Sequence, residues 1–455
     1  RVRPPEPATP VAARLPTPVE RTLANGLRVI VAERRDLPLI SADLRVLSGE
    51  SADAAGRAGQ ASLTADILTK GTRTRSATDI ARQIESLGAS LSAAAGRDSS
   101  SVSLQARSDR VNDAFAIFAD VAQNPTFAEE ELERQRQQNL DGLSVALRQP
   151  GSIAQFAMRR ALFGDAPYGG VASPASLQAI TQADVQGFHA AHYRPDNAVL
   201  VIAGDVSARE GFALAERFFG GWARPATPPP PEPAANAWAA DPRAIVINLP
   251  DSGQAAIAFG FRGPARTDAD YFPALVATNV LGGGYSARLN MEIRIRRGLS
   301  YGVGANLAST MAPGPIIASG QTRNDAAPQV VDLMSAEFAR LGAEDVPLAE
   351  LNARKAVLIG GFGRSVETTS GVASQLSTLA LFGIPLDRLN TYVADVSAVS
   401  PQQVRAAGAR LFDPGAADLV VVGDASLFAE ALRQRRANLE RIELDQLNLD
   451  KPELR

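Results

Sequence analysis

Leu200-Val201-Ile202-Ala203-Gly204-Asp205 returns 219 residues later as Leu419-Val420-Val421-Val422-Gly423-Asp424. Each is a short, continuous apolar run stopped by Gly-Asp, which suits a strand buried on both faces. Leu162-Phe163-Gly164 and Leu381-Phe382-Gly383 repeat at the same offset of 219. Two matches at one offset, both closing comparable helix–strand runs, indicate a duplicated unit of roughly 200 residues. The fold class expected is therefore α+β: two homologous domains, each a mainly antiparallel sheet packed with helices.

Working outward, the boundary between the copies lies at Ala223–Pro233, ARPATPPPPEP. Four consecutive prolines impose polyproline geometry and exclude helix or sheet pairing. The expected organisation is a lead-in over 1–17, a unit over 18–222, a linker over 223–239, a second unit over 240–437 and a tail over 438–455. The lead-in is Pro/Ala-rich and reads as extended. The tail alternates Leu with charge and is expected to pack on the body or on a partner.

Inside the first unit, Asn25-Gly26 separates two alternating stretches, a strong hairpin signal. Residues 39–47 place Ile40, Ala42, Leu44 and Val46 on one face of a third strand. Residues 56–70 read as helical. Ser76-Ala77-Thr78-Asp79 opens a helix that Gly88 ends. Strands are expected at 90–95, 99–106 and 197–203, and helices at 109–122, 128–148, 152–163, 181–191 and 207–220. The second unit closes with an expected helix over 426–438, the counterpart of 207–220.

The chain has 455 residues, more than one core accommodates, with 45% apolar and 21% charged residues. Its formal charge is −3 and no long basic run is present, which makes nucleic acid a poor partner. It has no cysteine, which removes disulfides and thiolate metal sites. No apolar run approaches the ~18 residues that span a bilayer. Signal-peptide removal or trimming would each account for a start at Arg1, and the lead-in suits an exported, periplasmic protein.

The stretch with most chemistry is Arg294-Ile295-Arg296-Arg297-Gly298-Leu299-Ser300-Tyr301. Residues 286–297 read as a helix stopped by Gly298, and 299–307 as a strand. On that reading, the tips of Arg294 and Tyr301 converge on one point. A permanent cation and a phenol suit a peptide carbonyl or the oxyanion derived from it. Arg296-Arg297 reads as a solvated face. Gly282-Gly283-Gly284 lacks the Gly-Lys-Ser/Thr of a phosphate loop and reads as the flexible start of a helix.

NVLGGGYSARLNMEIRIRRGLSYGV (279–303) resembles the second-half signature of the insulinase/pitrilysin zinc peptidases. HYRPDNAVLVIAGDV (192–206) and LFGDAPYGG (162–170) are similar to first-half patterns of that family, and the resemblance covers about residues 18–435. It implies a duplicated α+β fold. It also implies that one half binds zinc while the other brings an Arg and a Tyr, seven apart, to the active site. Arg294 and Tyr301 match that pair.

The family's zinc motif is H-x-x-E-H on a helix, with a further Glu about 76 residues on. Two His one turn apart meet one ion, and the Glu between them is the general base. The motif precedes a Lys-Gly-Thr element, present here as Lys70-Gly71-Thr72. Counting back, the ligand and base positions fall on Ser62, Ala65 and Asp66, and the third ligand on Gly142. All three ligands and the base are missing. His189 and His192, the only histidines, sit i, i+3 at a helix end without a third ligand and read as surface or capping residues. No G-x-S-x-G elbow and no Ser/His/Asp set takes their place.

The resemblance thus implies an accessory subunit of a zinc metalloendopeptidase, with no cofactor of its own. A zinc-bearing chain of the same family would pair with it as a heterodimer or a dimer of heterodimers, closing around a peptide. Arg294 and Tyr301 would act in that partner's site. The alternative is a scaffold subunit without peptidase role; an enzyme acting alone fits the residues least.

Overall fold

The computed structural model describes Leu15 and residues 17–229 and 237–455. Most of the expected lead-in, and the second pair of the four consecutive prolines, lie outside these residues.

Alternating sequence becomes two six-stranded sheets. The first holds β1 (Val19–Thr22), β2 (Arg28–Glu33), β3 (Leu39–Val46), β4 (Ser90–Ala95), β5 (Ser100–Arg107) and β6 (Ala198–Gly204). Its order is β1-β2-β6-β3-β5-β4. The second holds β7 (Ala244–Asn248), β8 (Ala255–Arg262), β9 (Val303–Leu307), β10 (Pro315–Thr322), β11 (Asp418–Gly423) and β12 (Leu439–Glu443), in the order β12-β7-β11-β8-β10-β9. The repeated apolar runs are β6 and β11, each central and buried along its whole length. Each pairs in parallel with β2 or β7 and antiparallel with the strand that follows, β3 or β8.

The helices repeat as well. The first half has α1 (Gln60–Ile67), α2 (Ala77–Ser86), α3 (Val111–Gln123), α4 (Glu129–Ala146), α5 (Pro150–Phe163), α6 (Pro174–Ala179), α7 (Gln182–His192) and α8 (Ala208–Phe219). The second has α9 (Tyr271–Gly282), α10 (Arg288–Asn290), α11 (Ala327–Ala343), α12 (Leu348–Ser365), α13 (Thr369–Leu381), α14 (Tyr392–Ala398), α15 (Pro401–Leu411) and α16 (Ala429–Arg433). The first residues of α4 and α12, of α5 and α13, and of α7 and α15 are all 219 apart. Local chemistry sets the ends: Ser76 caps α2 and Thr181 caps α7 in reciprocal boxes with Asp79 and Asp184.

The halves exchange a helix. Ile153, Ala157, Met158 and Leu162 of α5 are buried against Ile245 and Ile247 of β7, Ala258 of β8 and Val420 of β11. Reciprocally, Val372, Leu376 and Leu379 of α13 are buried with Ile30 of β2 and Val199 and Val201 of β6. Each sheet is thus covered on one face by its own helices and on the other by a helix from the other half. Burying each such side chain is worth about 1.5–3 kcal/mol, and here that energy joins the halves.

Four local expectations need correction. The helix at 56–70 is confined to α1 and a 3₁₀ turn over Leu68–Lys70. Residues 286–297 are not one helix: α10 passes into a π-helix over Met291–Arg296. The strand expected from 299 starts only at Val303, because Ser300 Oγ accepts from Gly302 N (3.1 Å) and donates to its carbonyl (3.0 Å), holding a turn instead. The closing helix at 426–438 shrinks to α16. Asp424 caps a short turn at Ser426 N, and the Leu/charge alternation at Leu439–Glu443 supplies β12 to the open edge of β7.

Candidate functional site

The π-helix places the arginine cluster. Its wider turn re-phases the side chains, and such turns concentrate at functional sites. Ile293 is fully buried and anchors the segment. Gly298 ends it at φ 64, a left-handed conformation that side chains disfavour, with Leu299 N bonding back to the Ile293 carbonyl (2.9 Å). Asn290 secures both ends: its Nδ2 donates to the Tyr285 carbonyl (2.6 Å), and its Oδ1 accepts from Val303 N at the start of β9 (3.4 Å).

Of the three arginines, Arg296 and Arg297 both bond to Glu292, at 2.9 and 2.8 Å. The Arg297 and Arg296 hydrogen bonds hold the Glu292 carboxyl below the usual range. Arg294 has a different environment. Its guanidinium lies 4.9 Å from the centroid of the Tyr285 ring, over its face. Tyr301 is 86% exposed. It lines a cavity of about 490 Å³ with Ser300, Gly302, Gln254, Ser319 and Gln321, beneath the N-terminal turns of α5. Arg294 does not line that cavity; its guanidinium is engaged by the Tyr285 ring. Tyr301 stands at a bend ahead of β9, not on it. Gly282-Gly283-Gly284 is not a helix start but the end of α9. A Cβ on Gly282 would lie 2.0 Å from Ala305 N, so glycine is required where α9 ends against β9.

The other expected positions come together in the first half. Ser62 on α1 and Gly142 on α4 line one cavity of about 410 Å³, with Glu50, Asp53, Asn139 and Arg159. Asp66 accepts from Asn139 Nδ2 across the same helix pair (3.3 Å), and Ala65 is buried. Sequence reasoning missed Glu50 and Arg159. Glu50 accepts from Ser62 Oγ (3.1 Å) and from Arg159 Nη2 (2.9 Å), while Arg159 Nε donates to the Tyr168 carbonyl (2.8 Å). Asp53 receives the Gly59 and Ala61 amides at the start of α1, at 2.7 and 2.8 Å. Burial pushes its carboxyl up to about 7, against those two bonds, which favour the ionised form. Zinc does not fit this donor set: Ser62 bonds Glu50, Glu50 is neutralised by Arg159, Asp66 faces an amide, and Ala65 and Gly142 offer no donor. Among the described residues, no group of three or more His, Cys, Asp or Glu is placed to hold a metal ion.

The histidines are neither surface nor capping groups. His189 Nε2 donates to the Ala122 carbonyl (2.9 Å), and its ring lies between Phe127 and Tyr193. His192 packs on Phe188. Desolvation pushes both imidazoles down to about 4, so these half-buried rings are neutral near pH 7.

The sequence model described as insulinase, peptidase family M16, matches residues 28–170, and the one described as peptidase M16 inactive domain matches residues 179–358. The chain belongs to the insulinase family, M16. An uncharacterized zinc protease of Mycobacterium leprae is 27% identical to this M16 chain, over 88% of it and 91% of the relative. One of Mycobacterium tuberculosis is 28% identical over 81% and 84%. A crystal structure of a peptidase M16 inactive domain from Pseudomonas fluorescens superposes with a TM-score of 0.83 at 28% identity, covering 89% of this chain and 98% of that one. A Helicobacter pylori protease shares the fold, with a TM-score of 0.84 at 19% identity. No described helix is long and apolar enough to cross a membrane.

Proposed function

We propose that this chain is the non-catalytic subunit of a heteromeric zinc metalloendopeptidase, supplying Arg294 and Tyr301 to the substrate site of a zinc-bearing M16 partner. The observation that carries this reading is the state of the family's metal positions. By the register counted from Lys70-Gly71-Thr72, Ser62, Ala65, Asp66 and Gly142 take the ligand and base positions, and Glu50 is already bonded to Ser62 and Arg159 beside them. The second half, by contrast, presents Tyr301 almost fully to solvent beside β9, the edge strand of its sheet.

The partner supplies the metal chemistry. This chain's residues bind and orient. An extended peptide adds to the free edge of β9, where backbone groups bind without reading much sequence. The Tyr301 hydroxyl donates to the carbonyl under attack, an interaction that strengthens as charge develops there. Arg294, swung from Tyr285, contributes a cation to the same oxygen or to the neighbouring backbone. The same proposal includes units at 18–222 and 240–437, a periplasmic location and a heterodimer or a dimer of heterodimers.

One observation favours a scaffold role instead: Arg294 is engaged by Tyr285 and does not line the Tyr301 cavity. Reconstitution separates the two. The chain is mixed with an M16 chain carrying an intact H-x-x-E-H from the same genome, and hydrolysis of a fluorogenic peptide is followed. Activity of the mixture, absent from each chain alone, is expected. A zinc chain equally active alone would establish the scaffold reading. Chelator-sensitive hydrolysis by this chain alone, with stoichiometric zinc, would overturn both.

A further inference from the structure

Beside the glycine run that closes α9 lies a buried charge without a counter-charge. Arg354 of α12 is 5% exposed. Its Nη2 donates to Ser286 Oγ, while Nε and Nη1 are sealed from solvent without a partner among the described residues. The carboxylate one helical turn earlier, Glu350, is already taken: Arg288 Nε and Nη2 donate to its two oxygens at 2.7 and 3.0 Å. Desolvation pulls the Arg354 pKa below the ordinary arginine value. A buried guanidinium in this state is destabilising unless an anion completes it.

The loop beside this charge is open. Gly284, Tyr285 and Ser286 are exposed. A Cβ on Gly284, which sits at φ 154, would have Arg354 Nη1, at 3.9 Å, as its only neighbour within 4 Å among the described residues beyond the two adjacent ones. An oxygen about 1 Å nearer would be at hydrogen-bond distance from that nitrogen. Ser286 Oγ accepts from Nη2, so its own proton is left to donate to the same group. One residue back, a Cβ on Gly283 would lie 2.0 Å from Asn279 Nδ2, so the Asn279 amide lies directly against the glycines. Its Oδ1 is buried without a partner among the described residues. Guanidinium and hydroxyl donors thus meet one unused acceptor around an open glycine corner.

We propose that Gly283, Gly284, Ser286 and Arg354 form a binding site for a phosphate-class oxyanion, either inorganic phosphate or the phosphoryl group of a monoester. The run lacks the lysine of a phosphate loop, but Arg354 supplies the charge and Gly284 lets the anion reach it. A tetrahedral group has oxygens for the guanidinium and for the Ser286 hydroxyl at once. A phosphate also keeps a proton up to about pH 6, which it can donate to Asn279 Oδ1; sulfate and acetate have none to give there. Neither Arg294 nor Tyr301 contributes a donor, so the site is independent of the accessory-subunit reading.

The test uses the full-length chain alone, at pH 6 in bis-tris chloride. Inorganic phosphate is titrated by calorimetry, and Tm is followed by scanning fluorimetry. Binding at one site is expected, with Tm rising as phosphate is added. Arg354→Met keeps a packed stem and removes the charge. It should weaken binding by about tenfold or more and abolish the phosphate-dependent rise. Its Tm without phosphate should be no lower than that of the wild type, because an unpaired buried charge has gone. Ser286→Ala, at an exposed position, should weaken binding by about threefold or more with the fold intact by circular dichroism. Phenyl phosphate separates the sources: binding tighter than that of phosphate identifies a monoester, and equal or weaker binding the free ion. Sulfate or acetate binding as tightly as phosphate would overturn the phosphate assignment. Absence of saturable heat, or an equal Tm rise in the wild type and Arg354→Met, would overturn the site. So would a lower phosphate-free Tm in Arg354→Met, which would mean that the chain itself already satisfies the guanidinium.

Discussion

At the scale of the residue, the contrast lies between side chains already engaged and side chains left to act. Arg296 and Arg297 are spent on Glu292, and Glu50 on Arg159 and Ser62. Tyr301 is exposed to solvent. Tyr301→Phe removes one hydroxyl from an exposed ring and should leave folding and pairing intact. In the reconstituted enzyme it should lower kcat by about 10²–10³-fold if the hydroxyl is a full oxyanion donor, and less if it only positions peptide. Arg294→Ala should cost at least as much, because charge and the stacking on Tyr285 are both lost. Wild-type turnover from both variants, with pairing confirmed by size-exclusion chromatography, would make the pair structural. A second prediction tests the register of the lost metal site. Ser62→His, Asp66→His and Gly142→Glu together should yield a chain that retains stoichiometric zinc by elemental analysis. A Cβ at Gly142 meets nothing within 4 Å, so the new side chain has room. Failure to take up zinc in a folded triple variant would mean that the register from Lys70-Gly71-Thr72 is wrong.

At the scale of the element, α7 and the π-helix make separate predictions. The two imidazoles of α7 have pKa values pushed down from 6.5 to about 4 by burial. The unfolded chain therefore binds protons that the native chain does not, and their contribution to stability is lost as pH falls from about 6.5 towards 4. Asp53 works in the opposite sense. Its pKa is raised to about 7, so the native chain holds the proton, and stability is lost as pH rises from about 3.8 through 7. His192→Phe should keep the contact with Phe188 while removing one titration. The fall in Tm between pH 7 and pH 5 should then be smaller in the variant than in the wild type; an equal fall would contradict the assignment. In the π-helix, Asn290→Ala unlatches Tyr285 from β9. Loss of two hydrogen bonds at a buried side chain should cost about 1–3 kcal/mol in denaturant unfolding. It should also reduce turnover in the reconstituted enzyme, because Arg294 and Tyr301 lie between the points it ties.

For the whole molecule, the halves are held by more than the exchanged helices. Beyond β12 the chain crosses to the first half. Arg160 Nε donates to the Leu449 carbonyl (2.8 Å), and Ser173 Oγ donates to Asp450 (2.6 Å). Ile442, Leu449 and Leu454 are buried in the same cluster as α5. On the other side, Asp98 accepts from Met311 N (3.0 Å), and the Tyr168 hydroxyl accepts from Ala312 N (3.2 Å). Ending the chain at Asn438 should therefore cost on the order of 5 kcal/mol from three lost apolar side chains alone. It should also bare the edge of β7 and promote aggregation. Calorimetry and light scattering on the truncated chain provide the check, and an unchanged Tm would show that this strap carries no load.

The sequence by itself determined the duplication, the central strands and the absence of a zinc donor set. These follow from short-range pattern: an apolar run stopped by Gly-Asp, a fixed offset, a missing imidazole. Asn25-Gly26 and the Ser76 cap were legible because turns and caps are decided by the few residues that form them. Tertiary structure alone decided what happened at 286–307 and at 426–443. There, the side chains of Ser300 and Asn290 and the backbone edge of β7 competed with local propensity and won. It alone showed that α5 and α13 are exchanged, because an apolar helix face does not say which sheet it meets. It alone paired Glu50 with Arg159, since a salt bridge across 109 residues has no local signal. And it alone set Arg294 over Tyr285 and Tyr301 beside the cavity under α5: a seven-residue spacing fixes direction only when the helix turn is known, and here the turn is π.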